Sequence, residues 1–300
     1  MTPPGFTTVY IAGSGAIGAL VAAGACRAKA RYAMVPRTPV SSSIDVHAGN
    51  GAVTLTSFTA HPLATTPQDC LILPLKAYQL ASALSSWQPY LHQDTPVLLL
   101  HNGMGGYETA RRILPAKQPV YVATTSHGAL KTDPETVIHT GVGHTMLGKL
   151  DKATLPDLDS RMMHTLSTFL PPVTWRHDMH RALWHKLAIN AAINPLTALH
   201  NVVNGNLLYK GYREELQALC AETVAVAASC DVFFSTPELL EDVLNVAMNT
   251  AKNYSSMHQD YHQGRKTEID AINGYIVETG RKKGINASRH AFLVEQIKQR

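Results

Sequence analysis

The sequence predicts an α/β protein, with a doubly wound, mostly parallel sheet in its N-terminal part and an all-helical C-terminal part. Three observations predict it. Short apolar runs alternate with helical stretches through the first half, the pattern of repeated βα units. A glycine motif joins the first apolar run to the helix after it. Strand signals then nearly vanish beyond about residue 180. With 300 residues, 45% hydrophobic and 16% charged, the chain can bury a sizeable core and is too apolar for general disorder. Two domains are expected at this length, divided as 1–177 and 178–300.

Val9-Tyr10-Ile11 reads as the first strand and Ile17 to Lys29 as the following helix. Ala33-Met34-Val35 is the second strand, stopped by Pro36. Cys70 to Leu75 is the third, with Pro74 at its end because proline cannot donate to a central ladder. A helix is expected over Tyr78 to Trp87. Val97 to Leu100 is continuously apolar, as a strand covered on both faces must be, and Val120 to Thr124 is another strand. Thr136–Thr140 and His144–Gly148 flank Gly141-Val142-Gly143, which reads as a hairpin, and Val173-Thr174-Trp175 is a last short strand. Beyond it, Thr236 can cap a helix with Pro237 at its first position, running to about Gln263 and ended by Gly264. Another helix starts near Thr267, with Glu268 and Asp270 early, Arg281-Lys282-Lys283 late and Gly284 beyond, biases that suit the helix dipole and a left-handed end.

The composition excludes several classes. The net charge of +4 is scattered, with no Lys/Arg block for a nucleic acid, and fits a phosphate-bearing small ligand equally well. The four cysteines, at 26, 70, 220 and 230, form no C-x-x-C pair and no disulfide scaffold, which favours a reducing compartment. The 15 histidines include no H-E-x-x-H and no Cys/His grid, so no metal is expected. No apolar run reaches the roughly 18 residues that span a bilayer, and no basic n-region opens the chain. A cytoplasmic protein without membrane or nucleic-acid partners is expected.

Gly13-Ser14-Gly15-Ala16-Ile17-Gly18 follows the first strand and opens a helix. Gly13 suits the tight turn, Gly15 lets the backbone approach a pyrophosphate, and Gly18 lets helix and strand pack closely, while the helix N-terminus offers N–H groups to the phosphates. This Rossmann-type context predicts a dinucleotide. An NAD site would place an acid after the second strand to hold the ribose 2′-hydroxyl, yet none occurs until Asp45. Arg37 stands there instead and can pair with a 2′-phosphate, which predicts NADP(H); a solvated loop arginine is the plain alternative. Two later strands end in Lys76, able to reach an anion, and in His101-Asn102-Gly103-Met104-Gly105-Gly106, whose amide can serve the nicotinamide end; alone, each is more often a capping or surface residue.

The apolar segment Leu183–Pro195 carries Lys186, Asn190 and Asn194 at four-residue intervals. Such residues share one helix stripe, and a cation with two amides on an apolar helix needs partners. Lys186 is a candidate general acid and the amides can grip a carboxylate or hydroxyl; a partly exposed helix with a snorkelling lysine is the alternative. Pro195 is expected to kink or close the regular helix. Asn204-Gly205 reads as a turn, Ser255-Ser256-Met257 as the late part of the long helix, and Glu268 as either dipole stabiliser or site residue.

Together, G-S-G-A-I-G at 13–18, Arg37, L-K-A at 75–77, H-N-G-M-G at 101–105, L-W-H-K-L-A-I-N-A-A-I-N-P-L-T-A at 183–198, N-G at 204–205, S-S-M at 255–257 and T-E-I-D-A-I-N-G at 267–274 resemble the ketopantoate reductase (2-dehydropantoate 2-reductase) family over essentially the whole chain. The resemblance implies a Rossmann domain, a helical domain and reduction of ketopantoate to (R)-pantoate by NADPH in pantothenate biosynthesis. It implies that Gly13, Ser14, Gly15, Ala16, Ile17, Gly18, Arg37, Lys76, Asn102 and Ala129 bind NADP(H) and that Lys186 is the proton donor. It also places Asn102, Lys186, Asn190, Asn194, Asn204 and Ser256 on the substrate and Glu268 at the cofactor–substrate junction, with a catalytic share. A monomer or homodimer acting on a small molecule is expected. The alternatives are a 2-oxo-acid reductase of other preference, since scaffold does not fix substrate, and an NADP sensor without turnover.

Overall fold

The computed structural model describes residues 5–37, 43–49 and 51–299. They fall into two compact units, one holding the described residues of Met1–His101 with Gly106–Met179, the other Asn102–Gly105 with His180–Arg300. This division differs from a single cut between 177 and 178 at Asp178 and Met179, which stay with the first unit, and at one short segment, Asn102–Gly105, which packs with the helical residues.

The first unit runs β1 (Val9–Ala12), α1 (Ala16–Arg27), β2 (Tyr32–Val35), β3 (Ile44–Ala48), β4 (Gly51–Leu55), β5 (Cys70–Leu73), α2 (Leu80–Trp87), β6 (Val97–Leu100), α3 (Gly106–Ile113), β7 (Val120–Thr125), β8 (Gly128–Asp133), β9 (Thr136–Gly141), β10 (Thr145–Gly148), α4 (Pro156–Phe169) and β11 (Val173–Trp175). Seven strands form one sheet in the order β11-β10-β7-β6-β5-β1-β2. The pairs from β2 through β7 are parallel; β10 joins β7 antiparallel, and β11 joins β10 parallel. Every residue of β1, β5 and β6 is buried, which explains why these strands read as unbroken apolar runs. The strand expected to reach Leu75 ends at Leu73, before Pro74. Helix α1 comes very close to α4: a side chain at Gly24 would stand 1.9 Å from the Phe169 carbonyl oxygen.

A second sheet, of order β4-β3-β9-β8, was not foreseen. Its β3 does alternate, Ile44 and Val46 buried against exposed Asp45 and His47, a period of two. The expected hairpin about Gly141-Val142-Gly143 is corrected by the pairing. Strand β9 pairs with β3 and β8, whereas β10 pairs with β7 and β11, so the two strands lie in different sheets. The segment between them crosses over, pressed so close to β7's end that a Cβ on Gly143 would lie 2.2 Å from the Ser126 and His127 backbone.

Among the described residues no strand follows Trp175. The helices are α5 (Met179–His200), α6 (Lys210–Ala228), α7 (Thr236–Asn249), α8 (Ser256–His262), α9 (Asn273–Lys283) and α10 (Ser288–Lys298). Helix α5 is central and has two apolar faces. Trp184, Leu187, Ala191 and Ala198 pack with Ile269, Ile272 and Ile276. Ala188, Ala192, Ile193 and Leu196 pack with Leu216, Leu219, Leu240 and Val243. The helix continues through Pro195 to His200 rather than closing there.

Four further expectations are corrected. The long helix to Gln263 is two helices, because Thr250 to Ser255 are held by other bonds. Asn204 N and Gly205 N donate to the Asn253 and Ala251 carbonyls, and Ser255 then caps α8 by accepting from His258 N at 3.0 Å. The cap of α7 is Ser235, one residue before Thr236, and its hydroxyl accepts from Glu238 N and donates to the Glu238 carboxylate. Ile269 to Ile272 form turns, and α9 begins only at Asn273, so Glu268 and Asp270 precede the helix instead of filling its first turn. Ile269 and Ile272 are buried there, and the Ala271 carbonyl accepts from Met104 N at 2.9 Å, outside any helix ladder. Gly284 ends α9 with φ of 70°, in the left-handed region. Asn204-Gly205 opens a 3₁₀ helix, Asn204–Leu208, rather than a simple turn. No helix among the described residues is long and apolar enough to cross a membrane.

Candidate active site

The glycine motif forms a cradle at the end of β1. Gly13 has φ of 119°, which side chains rarely adopt. Gly18 is buried, and a Cβ there would lie 2.7 Å from the Gly13 oxygen, so the helix start and the turn need both glycines. Gly15 caps α1 in extended conformation with nothing within 4 Å of its Cβ position, and no acidic residue occupies the first turn. The first N–H groups of a helix lack intrahelical partners, so this rim presents donors and partial positive charge to an anion. Ser14, Ala16 and Ile17 are half-buried around it.

Four more of the expected cofactor residues flank strand ends or neighbouring segments. Arg37 is exposed just past β2 and Pro36. Lys76 follows β5, where its backbone N–H donates to Gln79 Oε1 at 3.1 Å. Ala129 lies on β8 in the second sheet, opposite His139, and packs against the same core as Ala16 and Ile17. Asn102 follows β6 and belongs to the helical unit. Its segment is fixed by Gly103, with φ of 80° and a Cβ position 2.4 Å from the Ala271 oxygen. Beside the glycine motif, Lys131 escaped the sequence reading: its Nζ donates to the Ser14 carbonyl at 2.9 Å. Lys131 sits on β8, in the sheet that was not foreseen; a lone lysine carries no signal without that register.

In the helical unit, Lys186, Asn190 and Asn194 do share a stripe of α5, between its two apolar faces. Burial pushes the Lys186 ammonium down to about 8, while the Glu268 carboxylate acts in the opposite sense. Glu268 is 5% exposed. A lysine of this kind is still largely protonated at neutral pH yet gives up its proton far more readily than a surface lysine.

Asn194 is buried, and its carbonyl lies at the α8 cap: Thr197 Oγ1 stands 3.0 Å from the Asn194 carbonyl oxygen and 2.8 Å from Ser255 Oγ, its single hydrogen serving one acceptor at a time. Ser255 and Thr197 were not among the expected residues; only their three-dimensional contact reveals them. Ser256 is exposed at the first position of α8, next to the Ser255 cap. Asn204 is buried and donates from Nδ2 to Thr250 Oγ1 at 2.9 Å, leaving its Oδ1 buried without a partner among the described residues. An acceptor so placed suits a hydroxyl donor from a ligand or water.

Residues 9–152 match the family described as "Ketopantoate reductase PanE/ApbA", and residues 178–300 match "Ketopantoate reductase PanE/ApbA C terminal". The chain is 40% identical to the 2-dehydropantoate 2-reductase of Vibrio cholerae over 233 residues, covering 77% of each chain. The chain belongs to the ketopantoate reductase family. It is also 35% identical to the 2-dehydropantoate 2-reductase of Escherichia coli O157:H7 over 295 residues, 97% of this chain and 94% of that one. A D-mandelate dehydrogenase solved with NADH and anilino(oxo)acetate shares the fold at TM-score 0.89, with 23% identity over 97% of both chains.

Proposed function

We propose that this protein reduces 2-dehydropantoate to (R)-pantoate with NADPH, the activity for which its relatives are named. The observation that carries the proposal is Lys186, a lysine of lowered pKa influenced by Glu268 and sharing its helix stripe with two amides. An NADP sensor would have no use for such a proton donor.

The residues fit a dinucleotide. The Gly13–Gly18 cradle closes against itself where Cβ atoms would collide and opens at Gly15 where a phosphate needs room. The first unit would hold the pyrophosphate there, with Lys76, Ala129 and Asn102 as further contacts. Arg37, exposed beyond β2, would take the 2′-phosphate and set the preference for NADPH. When bound, the nicotinamide supplies the hydride for the 2-oxo carbon.

The helical unit does the rest. Asn190, Asn194, Asn204, Asn102 and Ser256 would bind the carboxylate and hydroxyl of the substrate. Lys186 would hold its proton toward the ketone oxygen, stabilise the alkoxide as it forms and protonate it. Glu268 keeps Lys186 protonated by favouring its charged form.

Loss of NADPH absorbance on adding ketopantoate tests this reading. Ketopantoate should outrank pyruvate and 2-oxoisovalerate in kcat/KM. A preference for either of those would reassign the substrate, and no turnover with any 2-oxo acid would overturn the enzyme assignment.

A further inference from the structure

Pro195 sits inside α5, one turn beyond Ala191. Proline has no N–H, and its ring crowds the carbonyl four residues earlier, so the helix cannot close its own bond onto Ala191. The Ala191 carbonyl nevertheless has a donor. Asn273 Nδ2, on the first residue of α9, donates to it at 2.9 Å. Asn273 is 0% exposed, so this bond replaces a helical one in a site closed to solvent.

The amide is oriented by a second buried group. His290 Nε2 lies 3.1 Å from the Leu219 carbonyl and 2.9 Å from Thr223 Oγ1. A carbonyl can only accept, so Nε2 carries the proton and Nδ1 is left as an acceptor. Nδ1 stands 3.0 Å from Asn273 Nδ2, which thereby spends its two hydrogens on His290 and Ala191. The reverse amide orientation would set Oδ1 against the Ala191 carbonyl, acceptor against acceptor.

Ala191 lies inside the turn that runs from Asn190 to Asn194, the two amides of the stripe. We infer that Asn273 is a positioning residue for the reaction: by supplying the bond that Pro195 removes, it holds the Asn190–Asn194 turn in the shape that binds the substrate. Asn273 donates to the Ala191 carbonyl and to His290, so its effect on the stripe passes through the backbone of α5.

The inference is about a pair, so the experiment is a double-mutant cycle on the full-length protein. Pro195→Ala returns a backbone donor to Ala191 and should make Asn273 dispensable. In the natural background, Asn273→Ala should raise the KM for ketopantoate about tenfold and lower the melting temperature, with NADPH affinity unchanged. In the Pro195→Ala background, the same substitution should change KM less than about twofold and lower the melting temperature much less. Equal damage in both backgrounds would overturn the inference, as would a folded Asn273→Ala protein with an unchanged KM. If Asn273→Ala alone does not fold, recovery of folded protein by Pro195→Ala supports the inference, and failure to recover overturns it. The KM arm rests on the proposed substrate, whereas the melting arm needs no substrate. A coupling seen in melting without any turnover would therefore sink the proposed activity and keep the helix bond.

Discussion

The cradle at Gly13–Gly18 and the stripe on α5, each proposed above to hold an anion, would do so by opposite means. The cradle's rim is backbone and depends on the absence of side chains: Gly13 stands at φ of 119°, and a Cβ on Gly18 would meet the Gly13 carbonyl. The stripe offers side chains on a helix whose backbone is already occupied, so what matters there is spacing and what lies behind it. A backbone site tolerates little substitution but needs little support. A side-chain site can be tuned residue by residue, and in return depends on bonds such as those from Thr197 and Ser255.

Substitutions that break one region and spare the other test the contrast. Lys186→Ala should give the largest effect, a fall in kcat of about 10²–10⁴-fold with NADPH affinity intact, read by steady-state kinetics and a cofactor titration. Near wild-type kcat would remove Lys186 from its role. Arg37→Ala should do the reverse, weakening NADPH about 10- to 100-fold while NADH affinity and kcat stay in place. An equal loss for both cofactors would mean that Arg37 does not read the 2′-phosphate.

The next effect is a shift rather than a loss. Lys186 must be protonated to donate, so kcat/KM should fall as pH rises through about 8. Glu268 raises the Lys186 pKa, so Glu268→Gln should move this limb to lower pH; a limb that stays put would show that Glu268 acts elsewhere.

The last effect concerns stability rather than turnover. Burial pushes His290 from 6.5 down to about 4, with the Leu219 carbonyl and Glu222 opposing. The unfolded chain therefore binds the extra proton between those two values, and stability should fall as pH drops from about 6.5 towards 4. The loss from this group is on the order of 3 kcal/mol. Denaturant titrations across that window, with His290→Gln lacking this part of the slope, check it.

The two regions also differ in how they show in sequence. Gly13, Gly15 and Gly18 are legible because a backbone site imposes glycine at fixed spacing. Lys186, Asn190 and Asn194 are legible because a helix imposes a four-residue repeat on one stripe. Lys131 was not legible, since it acts on Ser14, far along the chain; Thr197 and Ser255 lie in segments singled out for other residues, and only their contact across 58 positions shows what they do. The false hairpin at Gly141–Gly143 has the same cause: local spacing suggests a turn, and only the competing partners β7, β8 and β3 decide where each strand goes. The split of the long helix was hidden because Asn204 and Gly205, some fifty positions upstream, supply the donors that hold the break open.

The assignment of Asn102–Gly105 to the helical unit has a consequence for how the chain can be divided. The polypeptide changes unit three times, at His101/Asn102, at Gly105/Gly106 and at Met179/His180. A fragment beginning at His180 would lack Met104, which belongs to the Trp184–Ile272 core and whose N–H meets the Ala271 carbonyl. The helical half is therefore not a detachable module: expressed alone it should expose that core and leave a carbonyl bare beside Glu268. A four-residue peptide graft supplied from the other half is part of what makes it whole.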